Sequence, residues 1–389
     1  MHEPAEITPQ AVTEQLPAPP ASETIAEGLE LIDLTKAFDR THRAVVDLNL
    51  HVKRGEFFTL LGPSGSGKST TLNLIAGFLQ PDQGDIRVAG RSITSDPPER
   101  RNVSVVFQSY ALFPHMSVFE NVAFPLRRQR IRGSDLRARV SEALELVGLE
   151  GRRSAKPGQL SGGQRQRAAL ARALVGRPEI VLLDEPLGAL DRRLRQYLQE
   201  ALRELHTRVG FTAVYVTHDQ EEALVLSDRV GIMSDGALVQ VASGEELYTR
   251  PASLFVANFL GDANVFEGIA AAATSFGRVD VRLLASQSVL AVPSPHSFAS
   301  GDRALVVARP EHLELFPGAA SFEQGAVAGG IVRERMFLGQ DVVWVIDQDA
   351  GGEIRIRERS TEAKSFGPAD RVFVHLREKS IAVAVPSDE

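Results

Sequence analysis

The spacing of apolar residues along this chain changes several times, and each change predicts an element. Residues 29–52 alternate apolar and polar positions around Asp39-Arg40-Thr41-His42-Arg43, which predicts two strands joined by a polar turn, with Phe38 just before it. Phe57-Phe58-Thr59-Leu60-Leu61 is a short apolar run that gives way to glycines, and Leu72-Asn73-Leu74-Ile75-Ala76 follows them, which reads as strand, loop and helix. Pro81-Asp82-Gln83-Gly84 predicts a turn, residues 85–88 a short strand, and Pro97-Pro98-Glu99-Arg100-Arg101 an exposed loop. Val103-Ser104-Val105-Val106-Phe107 predicts a further strand ending at Gln108.

From Tyr110 the pattern turns helical, with Pro114 and Pro125 as punctuation. Ser134 is expected to cap a helix carrying Leu136, Val140, Ala143, Leu144 and Val147, and Gly148 to close it. Leu160-Ser161-Gly162-Gly163-Gln164 then opens another helix, so a helical section spans about 109–175. Ile180-Val181-Leu182-Leu183 is apolar throughout, as a strand covered on both faces of a parallel sheet would be, and it delivers Asp184 and Glu185 at its end. Leu194, Leu198, Leu202 and Leu205 mark an amphipathic helix that stops at Gly210, and Ala213-Val214-Tyr215-Val216-Thr217 forms the next strand, with His218 at its tip. Open α/β sheets bind ligands beyond the carboxyl ends of their strands. The glycine stretch, Gln108, Asp184, Glu185 and His218 should therefore share one edge.

Beyond about residue 264 short β-type runs take over, at 279–284, 289–292, 305–308, 342–346, 354–357, 372–376 and 381–385, separated by Gly-, Ser- and Asp-rich turns. A separate β domain, a small barrel or sandwich, is expected there. Residues 1–27 hold five prolines, five glutamates and no Lys or Arg, which lacks the charged start and apolar centre of a signal peptide and predicts a disordered acidic leader. The expected division is thus 1–27, 28–262 and 263–389.

Bulk properties narrow the chemistry. A chain of 389 residues with 43% apolar content has room for two or three cores. The net charge of −7 offers no global basic field to hold nucleic acid by counterion release. The absence of cysteine removes disulfides, thiolate metal sites and cysteine nucleophiles. The nine histidines are scattered without metal-ligand spacing, and no run approaches the roughly 18 apolar residues that cross a bilayer.

The chemistry concentrates at Gly62-Pro63-Ser64-Gly65-Ser66-Gly67-Lys68-Ser69-Thr70, which fits G-x-x-x-x-G-K-[ST] between a strand and a helix. A triphosphate needs a concave row of backbone N–H groups, and residues lacking a Cβ can turn that tightly and approach phosphate oxygens that closely. Lys68 adds a mobile charge over the outer phosphates, Ser69 a hydroxyl for Mg2+, and the helix N-terminus partial positive charge. Phe38 can stack on a base or simply pack in its strand.

Taken together, residues 29–261 resemble the ATP-binding cassette family. The resemblance rests on a Walker A loop at Gly62 to Ser69, a Q-loop at Gln108, a signature at Leu160, Ser161, Gly162, Gly163 and Gln164, and a Walker B strand from Ile180 to Asp184 followed by Glu185. A D-loop from Gly188 to Asp191 and a switch histidine at His218 complete it. The implied fold is an α/β P-loop cassette with a helical subdomain, followed by an all-β, OB-like (TOBE-like) domain. The resemblance implies ATP and Mg2+ as ligands, with Ser69, Gln108 and Asp184 at the metal, Glu185 as base for the attacking water, His218 and Gln108 reporting the γ-phosphate, and Phe38 stacking where many relatives carry Tyr.

Family resemblance also implies a head-to-tail homodimer in which each signature loop closes over its partner's ATP, and a permease that reads the motion through residues 109–116. Phe107 to Met116, Glu120 to Leu126, and Val307-Ala308-Arg309-Pro310-Glu311 look most like ATPase subunits of bacterial importers of the polyamine, iron and sugar type. That places the chain at the cytoplasmic face of the cell membrane, with a solute-binding protein as indirect partner. Polyamines lead, with ferric iron, phosphonates and sugars open as substrates. A soluble cassette ATPase acting outside transport is the rival, disfavoured by a single cassette without sustained heptads. The β domain reads equally as ligand sensor or as a strut between subunits.

Overall fold

The computed structural model describes residues 28–39, 43–188, 192–275, 277–319, 323–377 and 382–386; the expected leader, the 40–42 turn and Asp191 lie outside them. β1 (Leu29–Ala37) and β2 (Arg43–Val52) pair antiparallel, as the alternation predicts. β3 (Phe57–Leu61) feeds the glycine loop and α1 (Lys68–Ala76), after which β4 (Gln83–Val88) and the two-residue β5 (Arg91–Ser92) complete a four-stranded sheet in the order β2-β1-β4-β5. β6 (Val103–Val106) leads into the helical layer of α2 (Val118–Arg128), α3 (Gly133–Leu146) and α4 (Gly162–Leu174). β7 (Ile180–Asp184), α5 (Arg192–Val209), β8 (Thr212–Thr217), α6 (Gln220–Leu226), β9 (Arg229–Ser234) and β10 (Ala237–Ala242) finish a six-stranded sheet, order β10-β9-β3-β8-β7-β6, parallel except for β10.

The period-2 geometry of the central strands explains why they are apolar throughout. Phe58, Leu60, Leu182 and Val214 join Leu72 and Ile75 of α1 and the antiparallel sheet on one side. Phe57, Val181, Leu183 and Tyr215 join Val122, Val140, Leu170, Leu198 and Leu202 of the helices on the other. The strand ends are brought level by register, with Val106 opposite Leu183, Asp184 opposite Val216, and Leu61 opposite Thr217.

Two expectations in the helical section are corrected. Tyr110 and Ala111 have φ of +62° and +44°, so the chain after Gln108 is a turn rather than helix. Helix begins only at Val118, where Ser117 and Glu120 form a reciprocal capping box. Ser134 caps nothing: α3 starts at Gly133, with Arg132 at the N-cap position.

α7 (Gly244–Thr249) and α8 (Leu254–Phe259) connect to a second unit. It contains β11 (Asn264–Ala270), β12 (Arg278–Leu283), β13 (Val289–Pro293), β14 (Arg303–Ala308), β15 (Leu313–Pro317), β16 (Ala328–Phe337), β17 (Asp341–Gln348), β18 (Glu353–Arg359), β19 (Arg371–Leu376) and β20 (Ala382–Pro386). Two antiparallel sheets, β13-β12-β11-β14-β20 and β15-β19-β16-β17-β18, close on one core that includes Phe266, Val281, Val306, Leu315, Trp344, Ile356 and Val374. This is the expected OB-like all-β unit. The sequence pattern missed β11 and β16, where Gly268 and then Gly329, Gly330 and a run of charges interrupt the apolar residues, and the short β15, which offers only Leu313, Leu315 and Phe316.

Candidate nucleotide site

The loop from Gly62 to Thr70 leaves β3 at the level where β8 and β7 end. Gly62 and Gly67 are held against their surroundings: a Cβ on Gly62 would lie 2.3 Å from the Met233 carbonyl oxygen, and one on Gly67, whose φ is +100°, 2.2 Å from that of Ala44. Gly65 has φ of +84° with open space where a Cβ would point, so there the requirement is conformational. Lys68 Nζ donates to the carbonyls of Gly62 and Pro63 at 2.8 Å and to Ser66 Oγ at 3.4 Å. Burial lowers the Lys68 pKa from its ordinary value, while the charges of Glu185 and Asp184 oppose that shift. Pro63, Ser64, Gly65 and Ser69 stay exposed and Thr70 half-buried, which makes the loop an open cradle.

Across from it, burial raises the Asp184 pKa, neighbouring Glu185 adds to the rise, and the Ser69 hydroxyl bonded to Asp184 works against both. Glu185 sits in the left-handed region at φ +43°, its N–H donating to the Val216 carbonyl at 3.0 Å. That strained backbone aims its carboxylate outward. The Glu185 Oε1 atom lies 3.0 Å from His218 Nδ1. Because a carboxylate only accepts, Nδ1–H is the donor. Gln108 joins the same group: a Cβ on Gly188 would stand 3.5 Å from Gln108 Nε2 and 3.7 Å from Glu185 Oε2.

The donor set suits magnesium. Ser69 Oγ, the Asp184 carboxylate and the Gln108 carboxamide are hard oxygen ligands, and an Asp184 carboxylate whose proton affinity burial and neighbouring Glu185 raise favours a divalent cation. Among the described residues no three His, Cys, Asp or Glu side chains form an all-protein metal cage. A cation sharing its shell with phosphate oxygens and water needs none.

Of the remaining predicted residues, Phe38 follows β1 and is 56% exposed. Leu160 is buried, and Ser161 and Gln164 form a capping box at the start of α4, with Ser161 Oγ accepting from Gln164 N–H and Gln164 Oε1 accepting from Ser161 N–H. Gly163 packs on Leu194 and Leu198 of α5, and Gly162 is half-buried. Among the described residues none of the hydrogen bonds made by 160–164 reaches 62–70. Asp191 lies outside the described residues.

Sequence reasoning missed the supports behind these groups. Met233 and Ala44 wall the cradle, Arg101 grips the far end of α1, and Tyr215, Thr217, Asp219, Glu222 and Arg195 form a network behind His218. The loop and the strand-edge carboxylates define a P-loop nucleoside triphosphatase. The ABC transporter family matches residues 45–188 and the TOBE domain family residues 306–383.

Curated relatives align over nearly the whole chain. The spermidine/putrescine import ATP-binding protein PotA of Rubrobacter xylanophilus is 46% identical over 349 residues, 89% of this chain and 90% of the relative. The PotA proteins of Methylococcus capsulatus and Thermobifida fusca are 47% and 45% identical, covering 86% and 94% of this chain and 86% and 97% of their own. A solved dimeric ATP-binding cassette in a post-hydrolysis state with ADP and Pi is 34% identical, covering 55% of this chain and 98% of its own, with a TM-score of 0.49. The chain belongs to the ATP-binding proteins of ABC transporters, and it binds ATP with Mg2+ and hydrolyses it.

Proposed function

We propose that this chain is the energy-coupling ATPase of an importer for spermidine, putrescine or related polyamines, working as a homodimer beneath a permease at the cytoplasmic face of the cell membrane. The observation that carries the substrate class is identity of 41–47% to spermidine/putrescine import ATP-binding proteins over 86–94% of this chain. Among the described residues no helix is long and apolar enough to cross a membrane, so solute passage is assigned to separate permease subunits.

Within one subunit Gly62 to Thr70 hold the triphosphate through backbone N–H groups, Lys68 steadies the outer phosphates, and Phe38 stacks on the base. Ser69, Asp184 and Gln108 hold Mg2+, which supplies charge neutralisation at the phosphoryl oxygens. Glu185 orients the attacking water and takes its proton, and His218, tied to Glu185 through Nδ1, keeps that carboxylate aimed. The loop of Leu160, Ser161, Gly162, Gly163 and Gln164 completes the site of a second subunit, to which Asp191 also belongs. Loss of the γ-phosphate then loosens the pair, and residues 109–116 pass the movement to the permease. Residues 28–262 form the ATPase unit and 263–389 the accessory β unit, with 1–27 a leader; a solute-binding protein acts upstream.

Glu185→Gln tests the reading. It should reduce ATP turnover by about 10²–10⁴-fold, the usual contribution of a general base, yet leave an ATP-dependent dimer visible by light scattering. A variant that remains monomeric with ATP bound refutes the paired site. In the assembled transporter, spermidine-loaded binding protein should raise ATPase activity where ferric iron, phosphonate or sugar does not.

A further inference from the structure

Behind His218 lies a buried charge for which the reaction just described has no use. Glu222, on the first turn of α6, is 1% exposed. Its Oε2 accepts two hydroxyls, Tyr215 Oη and Thr217 Oγ1, both at 2.7 Å. Thr217 Oγ1 in turn accepts the N–H of Asp219 at 3.0 Å, and Asp219 Oδ1 accepts the N–H of Glu222 at 3.2 Å. The residues on either side of His218 are thereby stitched into a closed ring anchored on one carboxylate.

A second tie reaches across to α5. Arg195 Nη1 donates to Asp219 Oδ2 at 2.7 Å, and Arg195 Nε stands 3.8 Å from Glu222 Oε1. Arg195 stands in the first turn of α5, shortly after the D-loop region that ends at Asp191, so one guanidinium bridges the helix after the D-loop and the segment holding His218. The structure assigns Glu222, with Thr217 and Arg195, as positioning residues that fix the backbone carrying His218 against the helix following the D-loop, so that the His218–Glu185 contact keeps one geometry.

A buried carboxylate is costly unless it is paired and hydrogen-bonded, and two hydroxyls and the Arg195 guanidinium converge here for that purpose. Burial raises the Glu222 pKa, and the hydroxyls of Tyr215 and Thr217 oppose the rise. Tyr215, whose own pKa burial drives well above the ordinary value, remains a neutral donor. Of its two donors, only Thr217 also holds the loop; Tyr215 lies on the core side of the same strand. A purely structural carboxylate treats the two hydroxyls alike, whereas a positioning one does not.

This inference rests on the role given above to His218, and the experiment separates the two. Steady-state ATPase kinetics are measured on the full chain for Glu222→Ala, Glu222→Gln, Thr217→Val, Tyr215→Phe and His218→Ala, with thermal melting as the folding control. Thr217→Val should lower kcat by about tenfold to a hundredfold, the scale of a sub-ångström to one-ångström misplacement, with KM for ATP little changed. Tyr215→Phe should lower the melting temperature while keeping kcat within about twofold of wild type. Glu222→Ala should lower kcat at least as far as Thr217→Val, and Glu222→Gln, which keeps an acceptor oxygen, should recover part of it. If His218→Ala hydrolyses ATP at the wild-type rate, the assignment of His218 fails. If His218→Ala is inactive while Thr217→Val matches Tyr215→Phe in kcat and melting alike, the positioning role of Glu222 is overturned and the carboxylate only stabilises the core.

Discussion

At the scale of single residues, the chain keeps several ionisable groups away from water, and one of them, His206, ties stability to pH. His206 near the end of α5 is 6% exposed, its ring edge-on to Phe57 at 5.2 Å and to Phe211 at 5.0 Å. Burial lowers its pKa below the ordinary 6.5, with Asp228 acting against that shift and Arg203 reinforcing it. The unfolded chain therefore takes up a proton at a higher pH than the folded one. The contribution of His206 to stability is complete above pH 6.5 and is lost as the pH falls from there through the lower folded value. His206→Phe preserves the ring contacts and removes the titration. Urea midpoints of wild type should fall relative to His206→Phe as the buffer is taken from pH 7.5 towards 5; parallel curves would show that the imidazole is not the group responsible.

At the scale of elements, α1 is fixed at both ends by residues of different kinds. Its N-terminus opens from the left-handed Gly67, which lets the loop turn directly into the helix. At the C-terminus the Arg101 guanidinium, 4% exposed, donates to the carbonyls of Leu74 at 2.6 Å, Ile75 at 2.8 Å, Thr94 at 2.9 Å and Asp96 at 2.9 Å. A cation meeting the last carbonyls satisfies orphan acceptors and complements the helix dipole. Gly77 leaves the room, since a Cβ there would stand 2.7 Å from Arg101 Nε. Arg101→Ala strands four acceptors in the interior and should cost about 2–4 kcal/mol of unfolding free energy in chemical denaturation. Arg101→Lys should recover a minor part, because an ammonium cannot span carbonyls that a planar fork reaches.

At the scale of the whole molecule, the cassette and the β unit are joined by one buried cation. Arg309, 3% exposed, donates to the carbonyls of Ala257 at 2.7 Å, Gly261 at 3.0 Å, Asp262 at 3.2 Å and Tyr248 at 3.4 Å. Its guanidinium lies 4.2 Å from the Tyr248 ring centroid, and Tyr248 Oη closes the joint on Glu311 at 2.6 Å. His296 Nε2, from the β unit, lies 2.6 Å from the Ala252 carbonyl oxygen between α7 and α8. The β unit is thus held to α7 and α8 by contacts that a flexible linker would not make. In scanning calorimetry, Arg309→Ala should separate a β-unit transition from that of the cassette, where wild type melts in one step; a single unshifted transition would mean the joint is held elsewhere.

How far the sequence could be read depended on the range over which each feature is determined. The cradle of Gly62 to Thr70, the apolar strands before Gly62, Asp184 and His218, and the family to which they belong were legible, because local backbone conformation and double-sided burial leave their mark on consecutive residues. The alternation of strand and helix likewise foretold that Gln108, Asp184, Glu185 and His218 meet at one edge, and the registers of β3, β6, β7 and β8 carry that out. Tyr110 and Ala111 defeated the pattern because they take up the left-handed region without the glycine or asparagine that would mark it in sequence. β11 and β15 escaped because strands far away in sequence hold them in place, and β16, whose partner β17 is next in the chain, because Gly329, Gly330 and the charges from Arg333 to Arg335 mask it. Arg101, Arg309 and Glu222 read in sequence as ordinary surface charges. Folding buries each among carbonyls or hydroxyls drawn from separate elements, and a charge surrounded in this way is defined by its partners, which only the tertiary structure brings together.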